Sequence, residues 1–145
     1  MGLFKSKEER EAERKQRELE NKRIADAVRE SEMTRILKLF LLEKFGDLNT
    51  EEVQTLRQLA AGGGRAGYIM DVRSEGVLFT LGNRKGETLD KWAISFDALG
   101  YENLPWAGVT ALKEELMSTL KGISHLMVLD TGFFMYDKNR SKQSW

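Results

Sequence analysis

The sequence contains no cysteine, one histidine and one proline among 145 residues. The missing cysteine excludes disulfide scaffolds, thiolate zinc sites, iron–sulfur clusters and cysteine nucleophiles. A lone histidine excludes any centre built from several histidines of one chain. Net charge is missing too, because 23 Lys and Arg balance 23 Asp and Glu. A neutral chain has no global field that would draw it to nucleic acid or an anionic membrane. No apolar run is long enough to span a bilayer. Charges from Lys5 onward leave no secretory signal pattern. The expected location is cytoplasmic, or virion-associated if the chain comes from a phage.

What is present is enough for one domain. Hydrophobic residues make up 41% of a 16.6 kDa chain, so a core can form. A mean hydropathy of −0.47 leaves much of the chain solvated. The charge is unevenly placed. Of the first 32 residues, 18 are charged, nine of each sign, and almost nothing apolar lies between Lys5 and Glu18. Glu, Lys, Arg and Ala favour helix, and pairs such as Glu11 with Lys15 and Glu18 with Lys22 support it at helical spacing. Such a helix has no face to bury, so it projects into solvent or docks on a partner.

Apolar density rises at Met33, Ile36 and Leu37, and Leu39 to Leu42 is apolar all round. That run implies deep burial or an intermolecular contact, which makes Leu39, Phe40 and Leu42 interaction candidates. Gly46 ends this helix. Asn49 followed by Glu52 reads as the capping signature of a short second helix through Ala60. Gly62-Gly63-Gly64-Arg65-Ala66-Gly67 matches G-x-G-x-x-G. A dinucleotide loop needs a strand before it and a helix after it, and here the order is reversed. The segment therefore reads as a hinge, and no cofactor is expected.

Beyond it the period changes to two. Tyr68, Met70 and Val72 alternate with Ile69, Asp71 and Arg73, Val77, Phe79 and Leu81 with Leu78 and Thr80, and Trp92, Ile94 and Phe96 with Ala93 and Ser95. Gly82 to Gly86 reads as a hairpin loop. Val109, Leu112, Leu116 and Leu120 return to helical spacing. Ile123 to Asp130 is apolar on both faces and is expected as a central strand, with a last strand from Phe133 to Tyr136.

The predicted fold is α+β: a long charged N-terminal helix and a helical hairpin, then an antiparallel sheet of about five strands packed on one helix. The organisation is a charged helix over 1–32, a helical hairpin over 33–61, a glycine-rich hinge over 62–67, a sheet domain over 68–137 and a short basic tail over 138–145. With the sheet-packed helix on one face, the hairpin is expected to cover the other face or a partner. Two covered faces imply three layers or an oligomer.

Catalytic signatures are scarce. Val128-Leu129-Asp130-Thr131-Gly132 resembles the hydrophobic-hydrophobic-Asp-Thr-Gly signature of aspartic proteases. Only 13 residues follow Gly132, too few for the strands that complete such a site, so a turn is expected. His125 stands among Ile123, Met127 and Leu129 and reads as a neutral core or edge histidine. Tyr101 and Trp106, around the only proline, read either as plugs of the sheet–helix junction or as binding anchors. Arg65, Arg84 and Lys85, with Arg73 and Lys91, form a basic edge largely cancelled by Asp71, Glu75, Glu87 and Asp90. Met1-Gly2-Leu3-Phe4-Lys5-Ser6 fits the N-myristoylation pattern, so a membrane partner is expected only if Gly2 is acylated.

The leading functional expectation is a non-enzymatic protein–protein interaction module, an assembly, adaptor or inhibitor protein of bacterial or phage type. It would engage a protein partner or a second copy through residues 1–45. The alternative is a nucleic-acid-binding module using the basic turns, the tail and stacking by Tyr101, Trp106 and Trp145. A third is a metal-dependent hydrolase using Asp71, Asp90 or Asp130.

Overall fold

The computed structural model describes residues 6–61, 66–83 and 85–135. Among the described residues, four α-helices and a five-stranded antiparallel sheet make an α+β fold.

Helix α1 (Lys7–Arg29) starts at Ser6, whose hydroxyl accepts the Glu9 N–H at 3.1 Å. Exposed pairs such as Arg14 with Glu18, at 3.8 Å, lie along it. Every residue from Ser6 to Arg23 is exposed. Only the last two turns pack: Ile24 and Ala25 are half-buried and Val28 is buried. There α1 lies on α4 (Trp106–Lys121), and Arg29 bonds both Asp26 at 3.0 Å and Glu114 of α4 at 3.2 Å. Ser31 caps α2 (Glu32–Phe45), which buries Met33, Leu37, Leu41 and Phe45 along one stripe.

The cap of α3 (Glu51–Ala61) is Thr50, not the expected Asn49. The Thr50 hydroxyl accepts the Val53 N–H at 3.2 Å and donates to the Lys44 carbonyl at 2.6 Å. It thereby ties the start of α3 to the end of α2, while the Asn49 N–H is taken by the Asp47 carboxylate at 2.9 Å.

The strands are β1 (Gly67–Val72), β2 (Gly76–Gly82), β3 (Thr88–Ser95), β4 (Leu126–Val128) and β5 (Gly132–Met135), in the order β3-β2-β1-β5-β4. Pairing of Met70 with Phe79, Phe79 with Trp92, and Tyr68 with Leu81 and Phe133 puts these side chains on one face. The β2–β3 hairpin closes on Asn83, whose side-chain oxygen accepts the N–H groups of Lys85 and Glu87, both at 3.0 Å. Gly86 sits there at φ 81°, a conformation that suits glycine.

Two topological expectations need correction. The helical hairpin does not cover the second sheet face; it joins α4 on the first. The Phe45 ring, at the end of α2, lies 4.7 Å from Phe133 and 5.3 Å from Tyr68, and α2 also packs along α4. One aromatic cluster thus collects the helices on a single side. On the other face Ile69, Ala93 and Met127 are exposed and Leu78 and Phe134 are half-buried. The segment Ile123 to Asp130 is not a central strand. Its paired part is Leu126–Val128, at the sheet edge. Ile123 belongs to the turn that ends α4, its N–H bonded to the Leu120 carbonyl at 3.0 Å, and Met127 and Leu129 stay exposed.

Candidate functional site

A pocket of about 560 Å³ opens between α2, α3 and the β3 edge of the sheet. Each wall follows from a local pattern. Phe40 lies one residue from Leu41 on α2, at the flank of the buried stripe, so its ring stays half-exposed. Trp92 lies on the core-facing side of β3, stacked on Phe79 with centroids 4.2 Å apart and planes at 15°. Phe40 meets Trp92 edge to face at 5.7 Å and 68°, so two rings form a corner. Tyr68, Leu81, Leu59 and Leu89 complete the apolar lining.

The rim is acidic. Glu51 and Glu52 come from the first turn of α3, where carboxylates favour the helix N-terminus. Asp90 pairs with Leu81 across β2–β3 and so falls on the pocket side. Among the described residues, one lining cation opposes these three carboxylates. Lys44 bonds Glu52 at 3.0 Å, and its ammonium stands 5.9 Å from the Phe40 ring centre. The buried Tyr68 phenol is pushed above its ordinary pKa by desolvation. The Trp92 side chain acts the other way, while Asp90, Glu52 and Glu51 add to the rise.

The sequence-derived candidates scatter. Phe40 lines the pocket. Leu39 and Leu42 lie on the outward face of α2, 46% and 45% exposed, while Leu41 between them is buried. The run from Leu39 to Leu42 is therefore divided between core and surface. Tyr101 is half-buried against the core. Trp106 does not plug the sheet–helix junction: at the first position of α4 it is 76% exposed, because the buried stripe of that helix begins at Ala107. Lys85 is exposed in the β2–β3 loop. Arg65, Arg84, Gly2, the glycines 62–64, Trp145 and the basic tail lie outside the described residues.

The three candidate aspartates do not converge. Asp71 faces away from the helices and pairs with Arg73 at 2.7 Å. Asp90 is at the pocket rim, and Asp130 is exposed in the tight turn between β4 and β5, where the Leu129 N–H reaches the Gly132 carbonyl at 2.7 Å. Among the described residues, no three His, Asp or Glu side chains stand together as a metal site. His125 is half-buried, and its Nε2–H donates to the Phe45 carbonyl at 2.6 Å, since a carbonyl can only accept.

Glu51, Glu52, Lys44 and Trp92 were not among the sequence candidates. One signal was available for the pocket: Asp90 stands two residues before Trp92, so strand alternation carries it inward with the indole. Nothing in the sequence brings α3 to the same place. No protein-family model, curated protein or solved structure matches the chain.

Proposed function

We propose that this chain is a non-enzymatic protein–protein interaction module, an assembly, adaptor or inhibitor protein. It engages a protein partner or a second copy of itself through residues 1–45. The observation that supports this reading is the exposure of α1 from its cap to Arg23. That stretch extends about 25 Å beyond the packed end of the helix. An isolated polar helix of this length is marginal in water, so docking would stabilise it. Its charges of both signs suit a partner with complementary rows of charge, and Leu19, 69% exposed, offers an apolar contact. The outward Leu39 and Leu42 of α2 add a second apolar contact within the same segment.

The test is absolute mass by light scattering for the full chain and for a chain starting at Lys22. That start keeps Ile24, Ala25 and Val28, of which Ala25 and Val28 pack in the core. A defined oligomer that falls to monomer on truncation supports self-assembly through α1. A monomer in both forms directs the search to a different protein, sought by cross-linking from α1. An oligomer of unchanged size after truncation moves the interface off the polar part of α1, and one that also survives Leu39→Asp combined with Leu42→Asp overturns this reading.

A further inference from the structure

The pocket beside β3 combines three features that together select a ligand class. Its walls are aromatic and rigid, because Trp92 is stacked on Phe79 and meets Phe40 edge to face. Its rim is anionic, with Glu51, Glu52 and Asp90 against Lys44. Among the described residues, Glu51 and Asp90 have no ion-pair partner, since Lys44 is engaged by Glu52. The third feature is an internal precedent. The Lys44 ammonium stands over Phe40 and against a carboxylate, the arrangement a bound organic cation adopts between a ring face and an anion. Leu59, Leu81 and Leu89 line the remainder and suit an alkyl stem. The volume falls within the range of ligand pockets and exceeds what one methyl group or water would fill.

We propose that this pocket binds a lysine or arginine side chain presented on a segment of a protein partner. The ring corner of Phe40 and Trp92 takes the face of the cation, and Asp90 and Glu51 neutralise it. Lys44 is then a competitor held in place by the fold, not a contributor to binding. The proposal rests on the interaction reading but uses a different surface from α1. Removing the chain up to Asn21 leaves every pocket residue in place, so each idea can fail without the other.

The experiment is a titration of the full-length protein at low salt, followed by the NMR signal of the Trp92 indole. The probes are acetyl-Gly-Lys-Gly-amide, acetyl-Gly-Arg-Gly-amide and the neutral isostere acetyl-Gly-norleucine-Gly-amide. The charged peptides are expected to shift the Trp92 signal saturably, and the norleucine peptide to bind at least about tenfold more weakly. The Trp106 indole, on the surface and away from the pocket lining, should stay still. Combined Glu51→Gln and Asp90→Asn substitution should weaken binding about tenfold, and Phe40→Leu severalfold. Both variants alter partly exposed side chains, and their own spectra report folding. Lys44→Gln should tighten binding about threefold, because the competitor is gone and the rim gains negative charge. Equal shifts with the norleucine peptide, parallel shifts at Trp92 and Trp106, or weaker binding by Lys44→Gln would each overturn the proposal.

Discussion

The Thr34 hydroxyl donates to the Val28 carbonyl at 2.6 Å and joins α1 to α2 across the corner at Ser31. Among the described residues, Thr34 is the one buried polar side chain, and the Ser31 hydroxyl accepts its N–H at 3.2 Å. Thr34→Val keeps the side-chain shape and removes the donor. It should cost about 1 kcal/mol, measured as a lowered urea midpoint. An unchanged midpoint would show that the Ser31 hydroxyl and N–H, which bond the same carbonyl at 2.8 and 3.1 Å, hold the corner without Thr34.

Phe45 is fully buried and lies within 6.5 Å of the ring centres of Tyr68, Phe79, Trp92 and Phe133. Phe45→Ala should destabilise by about 3–5 kcal/mol through lost burial and a cavity. Leu39→Ala and Leu42→Ala remove side chains that are nearly half-exposed and should change stability by less than about 0.5–1 kcal/mol. Thermal unfolding of the three variants checks the ranking. A Leu39→Ala loss as large as that of Phe45→Ala would mean this leucine is covered in solution, as in an oligomer.

His125 closes the C-terminal end of α2 by donating to Phe45 O from the β4 side of the sheet. His125→Ala leaves that carbonyl without its side-chain donor and should cost about 1 kcal/mol. Because the bond also fixes where α2 ends, hydrogen exchange at Phe45 and Gly46 should quicken in the variant. Unaltered exchange there would remove the capping role.

Tyr68 supplies a pH dependence with a definite sign. Burial raises the folded-state phenol pKa above its ordinary value of 10.0. A phenol whose folded pKa is raised stabilises the fold fully below the unfolded value, and that stability is lost as pH rises toward and through the folded one. Absorbance titration should show a phenol step above the ordinary tyrosine range, and Tyr68→Phe should remove that step. The urea midpoint of the parent should fall more steeply above about pH 10 than that of Tyr68→Phe, and parallel curves would sink the assignment.

Legibility in the sequence followed periodicity and stopped where burial depends on a neighbour. Tyr68, Met70 and Val72, and Val77, Phe79 and Leu81, recur at every second position, and the sheet buries those faces although Ile69 and Leu78 interrupt the polar side. The polar stretch before Glu18 correctly implied a helix with nothing to bury. The doubly apolar Ile123–Leu129 segment misled, because hydrophobic composition does not distinguish a central strand from an edge strand with exposed Met127 and Leu129. The run Leu39–Leu42 was ambiguous for the same reason until α4 and the sheet fixed which side of α2 is inward. The pocket was the least legible feature. Glu52 and Asp90 are far apart in the chain and line one pocket in a fold where Thr50 ties the start of α3 to the end of α2.

The pairing of β1 with β5 has a mechanical consequence. Its register runs only from Tyr68 with Phe133 to Ile69 with Gly132, whereas β1 and β2 pair along their whole length. The sheet is therefore a robust three-strand meander joined to a short hairpin by a narrow seam. A Cβ on Gly132 would collide with the Tyr68 carbonyl, so that seam also has no tolerance for a bulkier residue. Under pulling force or partial denaturation the β4–β5 hairpin should part from the meander as one unit, with β2 amides the last to exchange. Within the sheet, the side carrying β5 and β4 is then the side that yields first.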